Sequence, residues 1–175
     1  MQHQTDRTRY LALAAMIAAL YTILTLLAAT WGLAYGPVQF RFSEALTLLP
    51  AFTSAAVPGL TVGCFLSNLF SGYSTDLVVG TAATLVAAVG TRLVRNVRWR
   101  GLPILAPLPP VLVNAVFVGA EIVALSPGGF AWAEFFTQAL SVGAGELAVC
   151  YGLGLPLAAW LGSSRAMKRV FQYFS

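Results

Sequence analysis

The run Val38-Gln-Phe-Arg-Phe-Ser-Glu-Ala-Leu-Thr-Leu-Leu-Pro50 places two ionisable residues at the start of an otherwise apolar segment. Arg41 and Glu44 are three positions apart, so their side chains can meet along a helix. An ionisable side chain costs about 2.5 to 3.5 kcal/mol at the centre of a membrane helix, which makes such residues markers of function. The run therefore predicts either a mutual ion pair or part of a binding site, if the chain lies in a membrane.

The composition indicates that it does. Of the 175 residues, 58% are hydrophobic and 9% are charged, and the mean hydropathy is +0.79. A soluble domain carries about 25% charged residues, so these few charges could not cover a water-exposed surface. The first apolar run, Tyr10 to Thr30, has the length of a spanning helix rather than of a signal peptide. We expect a single integral membrane domain over residues 1–175.

Six apolar segments separated by turn sequences predict an all-α membrane protein with six transmembrane helices. The connectors are rich in glycine, proline and serine, as in Ser126-Pro-Gly-Gly129. The second and third segments are shorter than a full span, and both a tilted pair and a re-entrant hairpin fit their length. The six segments are Tyr10 to Thr30, Ser43 to Ala56, Pro58 to Phe70, Leu77 to Thr91, Leu102 to Leu125 and Ala133 to Leu161.

The basic residues predict the orientation. With the N-terminus in the cytoplasm, nine of the ten Lys and Arg residues lie on that side and only Arg41 lies outside, as the positive-inside rule requires. Both termini are then cytoplasmic. We interpret the run from Arg92 to Arg100 as a topogenic, lipid-facing loop without a role in nucleic-acid binding. The nine residues are Arg7, Arg9, Arg92, Arg95, Arg98, Arg100, Arg165, Lys168 and Arg169.

Polar residues at the outer ends of the predicted helices form a candidate substrate-binding site. Two more, Asn114 and Glu146, lie near mid-membrane, where an ionisable residue is a functional candidate by default. The outer residues are Arg41, Glu44, Asn68, Asp76, Glu121 and Glu134.

The last two segments carry polar stripes. Asn114 and Glu121 are seven residues apart and share one helical face. If the loop from Ser126 to Trp132 makes the two segments antiparallel neighbours, both stripes line one cavity near the outer surface. The second stripe consists of Glu134, Gln138 and Ser141.

The candidate site is acidic within a protein of net charge +4. Carboxylates accept hydrogen bonds from paired N–H groups, so the site predicts a cationic ligand or one rich in donors. Aromatic residues near the same surface either stack on a flat ring or form the interfacial belt. They are Tyr35, Phe40, Phe42, Tyr73, Phe117, Phe130 and Trp132.

Four of the acidic residues also have a structural explanation. Glu44 and Asp76 begin helices, where a carboxylate offsets the helix dipole. Glu134 fits ordinary solvation at the interface, and Glu146 fits a hydrogen bond between helices. These explanations stay open beside the functional one.

The residue inventory argues against an enzyme. His3, the only histidine, lies in the polar N-terminal tail, so HExxH metal chemistry and a Ser-His-Asp triad are unavailable. A GxxxxGK[ST] phosphate loop is absent, so an ion gradient or another protein must drive any active transport. Cys64 and Cys150 lie in apolar runs without CxxC spacing, and we expect no disulfide, metal or cofactor.

Three runs and an alanine-rich first segment carry a family resemblance. The runs are Val38 to Pro50, Pro58-Gly-Leu-Thr-Val-Gly-Cys-Phe-Leu-Ser-Asn68 and Asp76-Leu-Val-Val-Gly-Thr-Ala-Ala-Thr84. With these features the chain resembles the QueT-type substrate-binding (S) components of energy-coupling factor (ECF) transporters. The Arg-x-Ser-Glu-Ala-Leu-x-x-Leu-Pro pattern is the most specific part, and the later segments match mainly in pattern.

The resemblance implies the S-component fold and import of a queuosine precursor, a 7-deazaguanine base such as 7-aminomethyl-7-deazaguanine, across a bacterial cell membrane. It implies a coupling transmembrane protein and two ATPase subunits as partners. Arg41 would hold the first loop or pair with Glu44, while Glu44 or a deeper glutamate takes the edge of the base. The residues implied to contact the coupling protein are Ala14, Ala15, Ala18 and Ala19.

Three alternatives stay open at the level of sequence. The same scaffold can bind another vitamin or purine-like molecule, because fold does not fix substrate. An autonomous ion-coupled carrier would use Glu121 or Glu146 as a proton relay. A non-transporting assembly subunit would leave the acidic outer cluster without a purpose.

Overall fold

The computed structural model describes residues 2–34, 40–72, 74–165 and 170. Tyr35, Tyr73, Lys168 and Arg169, which entered the predictions above, lie outside the described residues. Every regular element in the described part is helical, which confirms the all-α prediction. The elements are α1 (Gln2–Thr30), a 3₁₀ helix (Phe42–Ala51), α2 (Ala56–Asn68), α3 (Ser74–Leu93), α4 (Leu108–Ala124), α5 (Trp132–Val149), a π-helical segment (Cys150–Gly154) and α6 (Leu155–Ser163).

The described chain passes alternately between two ends of one helical bundle. At one end, here called the Arg92 end, the Tyr10 hydroxyl donates to the Ser54 carbonyl at 3.3 Å and Arg92 Nη1 donates to the Pro50 carbonyl at 3.2 Å. The start of α1, the end of the 3₁₀ helix and the end of α3 therefore share this end. The opposite end is here called the Arg41 end. The charge asymmetry predicts that the Arg92 end faces the cytoplasm.

Among the described residues, three helices are long and apolar enough to span a membrane: Asp6–Thr30, Ser74–Leu93 and Trp132–Ser163. The last of these joins α5, the π-helical segment and α6 into 32 residues. The shorter α2 and α4 are also apolar. The lengths and composition of these helices agree with a membrane protein whose solvent is lipid.

The predicted second segment forms a 3₁₀ helix of ten residues, which is long for this type of helix. Its residues from Ser43 to Ala51 are all buried. A Cβ atom built at Gly154 would lie 2.9 Å from Leu48 Cδ1, so the π-helical segment packs tightly against this helix. The helix is about 20 Å long, given a rise of about 2 Å per residue. Its burial from Ser43 to Ala51 makes it a central element of the bundle.

The contact between α1 and α2 depends on small residues. A Cβ atom at Gly59 would lie 2.8 Å from the Ala14 carbonyl oxygen, and one at Gly63 would lie 2.8 Å from the Ala18 carbonyl oxygen. The two helices are parallel, because both positions advance together along each helix. The small-xxx-small step formed by Ala14 and Ala18 thus serves close packing within the chain.

The predicted start of the fifth segment was wrong by six residues. The segment was expected to begin at Leu102, whereas α4 begins at Leu108. The intervening residues include Pro103 and Pro107, which lack the N–H donor that a helix interior needs. Leu102 instead forms an isolated antiparallel bridge with Trp99.

Candidate functional site

Arg41 ties the first loop to the start of α3. Its Nε donates to the Ala34 carbonyl oxygen at 2.8 Å, and its Nη2 lies 3.4 Å from Asp76 Oδ2. Both side chains are buried. Arg41 therefore holds the loop, which is one of the two roles expected for it. Its ion pair with Asp76 joins residues that are 35 positions apart along the chain.

Glu44 opens the 3₁₀ helix and is only 1% exposed. Its Oε1 atom accepts a hydrogen bond from the Tyr21 hydroxyl on α1. Its Oε2 atom is buried and has no hydrogen-bond partner. A buried polar atom without a partner is costly, because the hydrogen bonds that it makes to water in the unfolded chain are lost. Glu44 Oε2 is therefore a candidate for contact with a ligand.

Asn68 and Asp76 meet where α2 ends and α3 begins. Asn68 Nδ2 donates to the Asp76 backbone carbonyl at 2.8 Å, while Asn68 Oδ1 is buried without a partner. Gly80 makes room for this arrangement. A Cβ atom there would lie 2.6 Å from Asp76 Oδ1 and 2.8 Å from Asn68 Nδ2. The amide is held by its nitrogen and leaves its acceptor oxygen available.

The two residues predicted near mid-membrane are brought together. Asn114 Nδ2 on α4 donates to Glu146 Oε1 on α5 at 3.0 Å, and Asn114 also lies beside the Glu44 carboxyl group. Cys150 Sγ lies 3.6 Å from Glu146 Oε2. The structural explanation of Glu146, a hydrogen bond between helices, thus has direct support. Glu146 also lies close enough to Glu44 for the two carboxyl groups to interact electrostatically.

Glu121 and Gln138 lie at one level of the antiparallel pair α4 and α5. A Cβ atom at Gly119 would lie 2.9 Å from Ala139 Cα, which confirms that the two segments are neighbours. Glu121 follows this contact on α4 and Gln138 precedes it on α5, so both lie on its Arg41 side. Glu121 Oε1 and Gln138 Oε1 are buried without a partner. Glu121 also lies close to Asp76, which connects it to the site around Arg41.

Unpartnered acceptor oxygens are the common feature of the site. Five buried side-chain polar atoms in the described part lack a hydrogen-bond partner, and the fifth is a hydroxyl, Thr81 Oγ1. The other four all lie toward the Arg41 end and are here called the acceptor set: Glu44 Oε2, Asn68 Oδ1, Glu121 Oε1 and Gln138 Oε1. In the described residues no group of three or more His, Cys, Asp or Glu side chains is arranged to hold a metal ion. The site is suited to accept hydrogen bonds from an organic ligand.

Some predicted members lie apart from this site. Glu134 is half-buried, and no hydrogen bond or ion pair joins it to the acceptor set within the described part of the chain. Phe130 and Trp132 are exposed and pack edge to face with ring centroids 5.2 Å apart. Their exposure agrees with the interfacial-belt interpretation of the aromatic residues.

The polar face of α1 was not predicted from the sequence. Besides the contact of Tyr21 with Glu44, the Thr25 hydroxyl donates to Ser43 Oγ at 2.7 Å. Tyr21 and Thr25 are four positions apart and therefore share one face of the helix. That spacing was a usable signal, but a tyrosine within an alanine- and leucine-rich helix was read as part of the apolar run.

The four alanines expected to contact a coupling protein divide into two pairs. Ala14 and Ala18 are buried against α2. Ala15 and Ala19 are exposed on the other side of α1. Within the described chain, only the second pair presents its side chains to an outside partner.

Comparison with known proteins identifies the family. Residues 11–163 match the family model described as QueT transporter. Over 72 residues the chain is 42% identical to the queuosine precursor transporter QueT of Lactococcus lactis subsp. cremoris, and this stretch covers 41% of the chain and 43% of that relative. No solved structure matches the chain. The family consists of transporters, which agrees with the prediction that the chain is not an enzyme. Because the family model spans most of its length, the chain belongs to the QueT transporter family.

Proposed function

We propose that the chain is the substrate-binding membrane subunit of an ECF-type importer that takes up a queuosine precursor, a 7-deazaguanine base such as 7-aminomethyl-7-deazaguanine. The observation that carries the proposal is the acceptor set, four buried oxygens without partners in one part of the bundle. Family membership and the name of the relative from Lactococcus lactis support a queuosine precursor as the substrate.

The chemistry of the base fits these acceptors. The pyrimidine edge of a 7-deazaguanine presents a ring N–H beside an exocyclic amine, and a carboxylate accepts from such paired donors. Glu44 is the first candidate for this contact, because Tyr21 orients one of its oxygens and the other is unpartnered. The aminomethyl arm adds a cation, for which Glu121 offers an unpartnered oxygen.

The remaining residues prepare the site rather than bind the base. Arg41 and Asp76 hold the first loop against α3. Asn114 and Glu146 support Glu44 from the middle of the bundle. A site whose groups are fixed before binding loses little conformational freedom when the ligand enters, which raises affinity. Import by such a site requires that it open toward the side from which the ligand comes.

The exposed face of α1 is the proposed contact with the coupling protein. Ala15 and Ala19 form a small-xxx-small step on the outside of the bundle, where another helix can approach closely. Ala14 and Ala18 act indirectly, since they bring α2 against α1. Two cytoplasmic ATPase subunits complete the proposed importer, whose place is the bacterial cell membrane.

The substrate assignment is tested by calorimetric titration of the purified chain in detergent with 7-aminomethyl-7-deazaguanine. Guanine, which lacks the cationic arm, and riboflavin, which has a different edge, are the comparison ligands. We expect the deazaguanine to bind at least about tenfold more tightly than guanine, because a hydrogen bond to a charged group contributes about 1.5 to 3 kcal/mol. Absence of binding by any purine would overturn the assignment.

The energy source is tested separately in liposomes. Uptake of the deazaguanine is expected only when the coupling protein, both ATPase subunits and ATP are present with the chain. Uptake by the chain alone that stops when the proton gradient is collapsed would instead indicate an ion-coupled carrier.

A further inference from the structure

A basic cavity lies at the Arg92 end, far along the bundle from the acceptor set. It has a volume of about 710 Å³ and lies between the end of the 3₁₀ helix, the loop from α3 to α4, and α6. Arg92, Arg95, Arg98 and Arg100 all line it.

No carboxylate among the described residues lines this cavity. Arg92 and Arg95 are close enough to interact electrostatically, although their charges repel each other. The hydrogen bond of Arg92 goes to a neutral acceptor, the Pro50 carbonyl. The acidic residues of the chain lie elsewhere: Asp6, Glu44, Asp76, Glu121, Glu134 and Glu146. A concentration of guanidinium groups without counter-charge is suited to bind an anion.

The arginines are held in place by local structure. Trp99 and Leu102 exchange backbone hydrogen bonds at 2.9 and 3.0 Å, and the two residues between them, Arg100 and Gly101, have φ angles of 51° and 84°. Two central residues with positive φ form a tight turn. Arg98 Cζ lies 5.6 Å from the centroid of the Phe52 ring. The loop therefore presents its guanidinium groups from a fixed backbone rather than from an irregular connection.

Exposed apolar side chains are sequence neighbours of residues that line the cavity. Leu93 is 77% exposed on α3 and Trp160 is 61% exposed on α6. Trp99 is exposed beside the cavity, and Arg100 Cζ lies 4.8 Å from the centroid of its ring. Tryptophan with arginine is typical of the membrane interface, where headgroups meet acyl chains. A ligand that is anionic at one end and apolar at the other matches both surfaces.

We propose that this cavity is a binding site for an anionic phospholipid. The phosphate of the headgroup lies among Arg92, Arg95, Arg98 and Arg100, and the acyl chains extend over the apolar surface around Leu93 and Trp160. Basic pockets between helices on the cytoplasmic side of a membrane protein bind such headgroups. The site is independent of the substrate and of the acceptor set, so it stands or falls separately from the proposed function.

The test is native mass spectrometry of the full chain, released from detergent after incubation with phosphatidylglycerol or phosphatidylcholine. We expect phosphatidylglycerol to remain bound and phosphatidylcholine, which carries the same phosphate but no net charge, to be lost. Inorganic phosphate, added as competitor, distinguishes a lipid site from a site for the free anion. Displacement of the lipid by phosphate at equal concentration would overturn the assignment to a lipid.

The decisive variant is Arg95→Gln with Arg98→Gln. The loss of two guanidinium groups that face the anionic headgroup is expected to weaken phosphatidylglycerol binding about tenfold or more. The matched control is Arg7→Gln with Arg165→Gln, which removes two charges from residues that do not line the cavity. We expect the control to bind phosphatidylglycerol within about twofold of the unaltered chain, since the cavity is intact.

A charge-retaining variant, Arg95→Lys with Arg98→Lys, separates lost binding from lost folding. It is expected to keep most of the lipid binding, because lysine also binds phosphate, and circular dichroism checks the helix content of every variant. Equal losses of phosphatidylglycerol binding in the variant with two Gln substitutions and in its control would overturn the proposal. The proposal would also be overturned if an acidic peptide protected these arginines from chemical modification and phosphatidylglycerol did not. That result would indicate a protein partner.

Discussion

The two ends of the bundle hold arginine in opposite settings. Arg41 is 5% exposed, forms an ion pair with Asp76 and donates to a backbone carbonyl. At the other end, Arg95 and Arg98 line an open cavity whose described lining residues include no carboxylate. The lone arginine therefore organises a site rich in hydrogen-bond acceptors, whereas the clustered arginines form a site rich in donors. A net charge of +4 reveals neither arrangement, because charge in a membrane protein acts through its local partners.

The largest effect is expected in the free energy of unfolding, when an arginine at each end is replaced by glutamine in separate variants. Arg41→Gln leaves the Asp76 carboxylate buried without its partner, and breaking a buried pair in this way costs about 3 to 5 kcal/mol. Arg95→Gln removes an accessible charge and is expected to change the free energy of unfolding by no more than about 0.5 kcal/mol. Equilibrium unfolding in mixed detergent micelles measures both. Similar values for the two variants would contradict the assigned role of Arg41.

A smaller effect is expected in ligand affinity when Glu44→Gln is made. A hydrogen bond to a charged group contributes about 1.5 to 3 kcal/mol, so affinity for the deazaguanine should fall about tenfold to a hundredfold. Glu134→Gln is the matched control, because Glu134 has the same chemistry but lies apart from the acceptor set. Calorimetry distinguishes them, and an unchanged affinity in the Glu44 variant would remove that residue from the site.

Gly80→Ala tests whether the space around Asp76 and Asn68 is required. The added Cβ would lie within 3 Å of both side chains, and such overpacking costs about 1 to 3 kcal/mol. Gly152→Ala provides the control, since a Cβ there meets nothing within 4 Å. Thermal unfolding should rank the control as the more stable variant. A Gly80 variant as stable as the control would show that the two side chains can move apart freely.

The smallest effect on the isolated chain is expected from Ala15→Leu with Ala19→Leu. Both positions are exposed on α1, so the free energy of unfolding should change by no more than about 0.5 kcal/mol. In liposomes with the full importer, however, the larger side chains should block close approach of the coupling protein and stop ATP-driven uptake. Normal uptake by this variant would exclude the exposed alanine face as the contact.

The sequence predicted the apolar segments of the bundle more completely than the contacts between these segments. The lengths of the apolar runs and the turn residues between them located six segments. The predicted depth of the polar residues in the membrane placed Asn114 and Glu146 in the same group. The partner of Arg41 was missed, because a local pair with Glu44 could be seen from spacing and the pair with Asp76 depends on how three elements pack. The 3₁₀ form of the second segment was missed as well, because apolar composition does not distinguish a 3₁₀ helix from an α-helix.

The most direct measurement is a ligand-bound structure of the chain with 7-aminomethyl-7-deazaguanine. The predicted result places the ring N–H and exocyclic amine of the base within about 3.2 Å of Glu44 Oε2 or another member of the acceptor set, the usual range for a hydrogen bond. A base bound in the arginine-lined cavity, with the acceptor set unoccupied, would contradict the division of roles between the two ends.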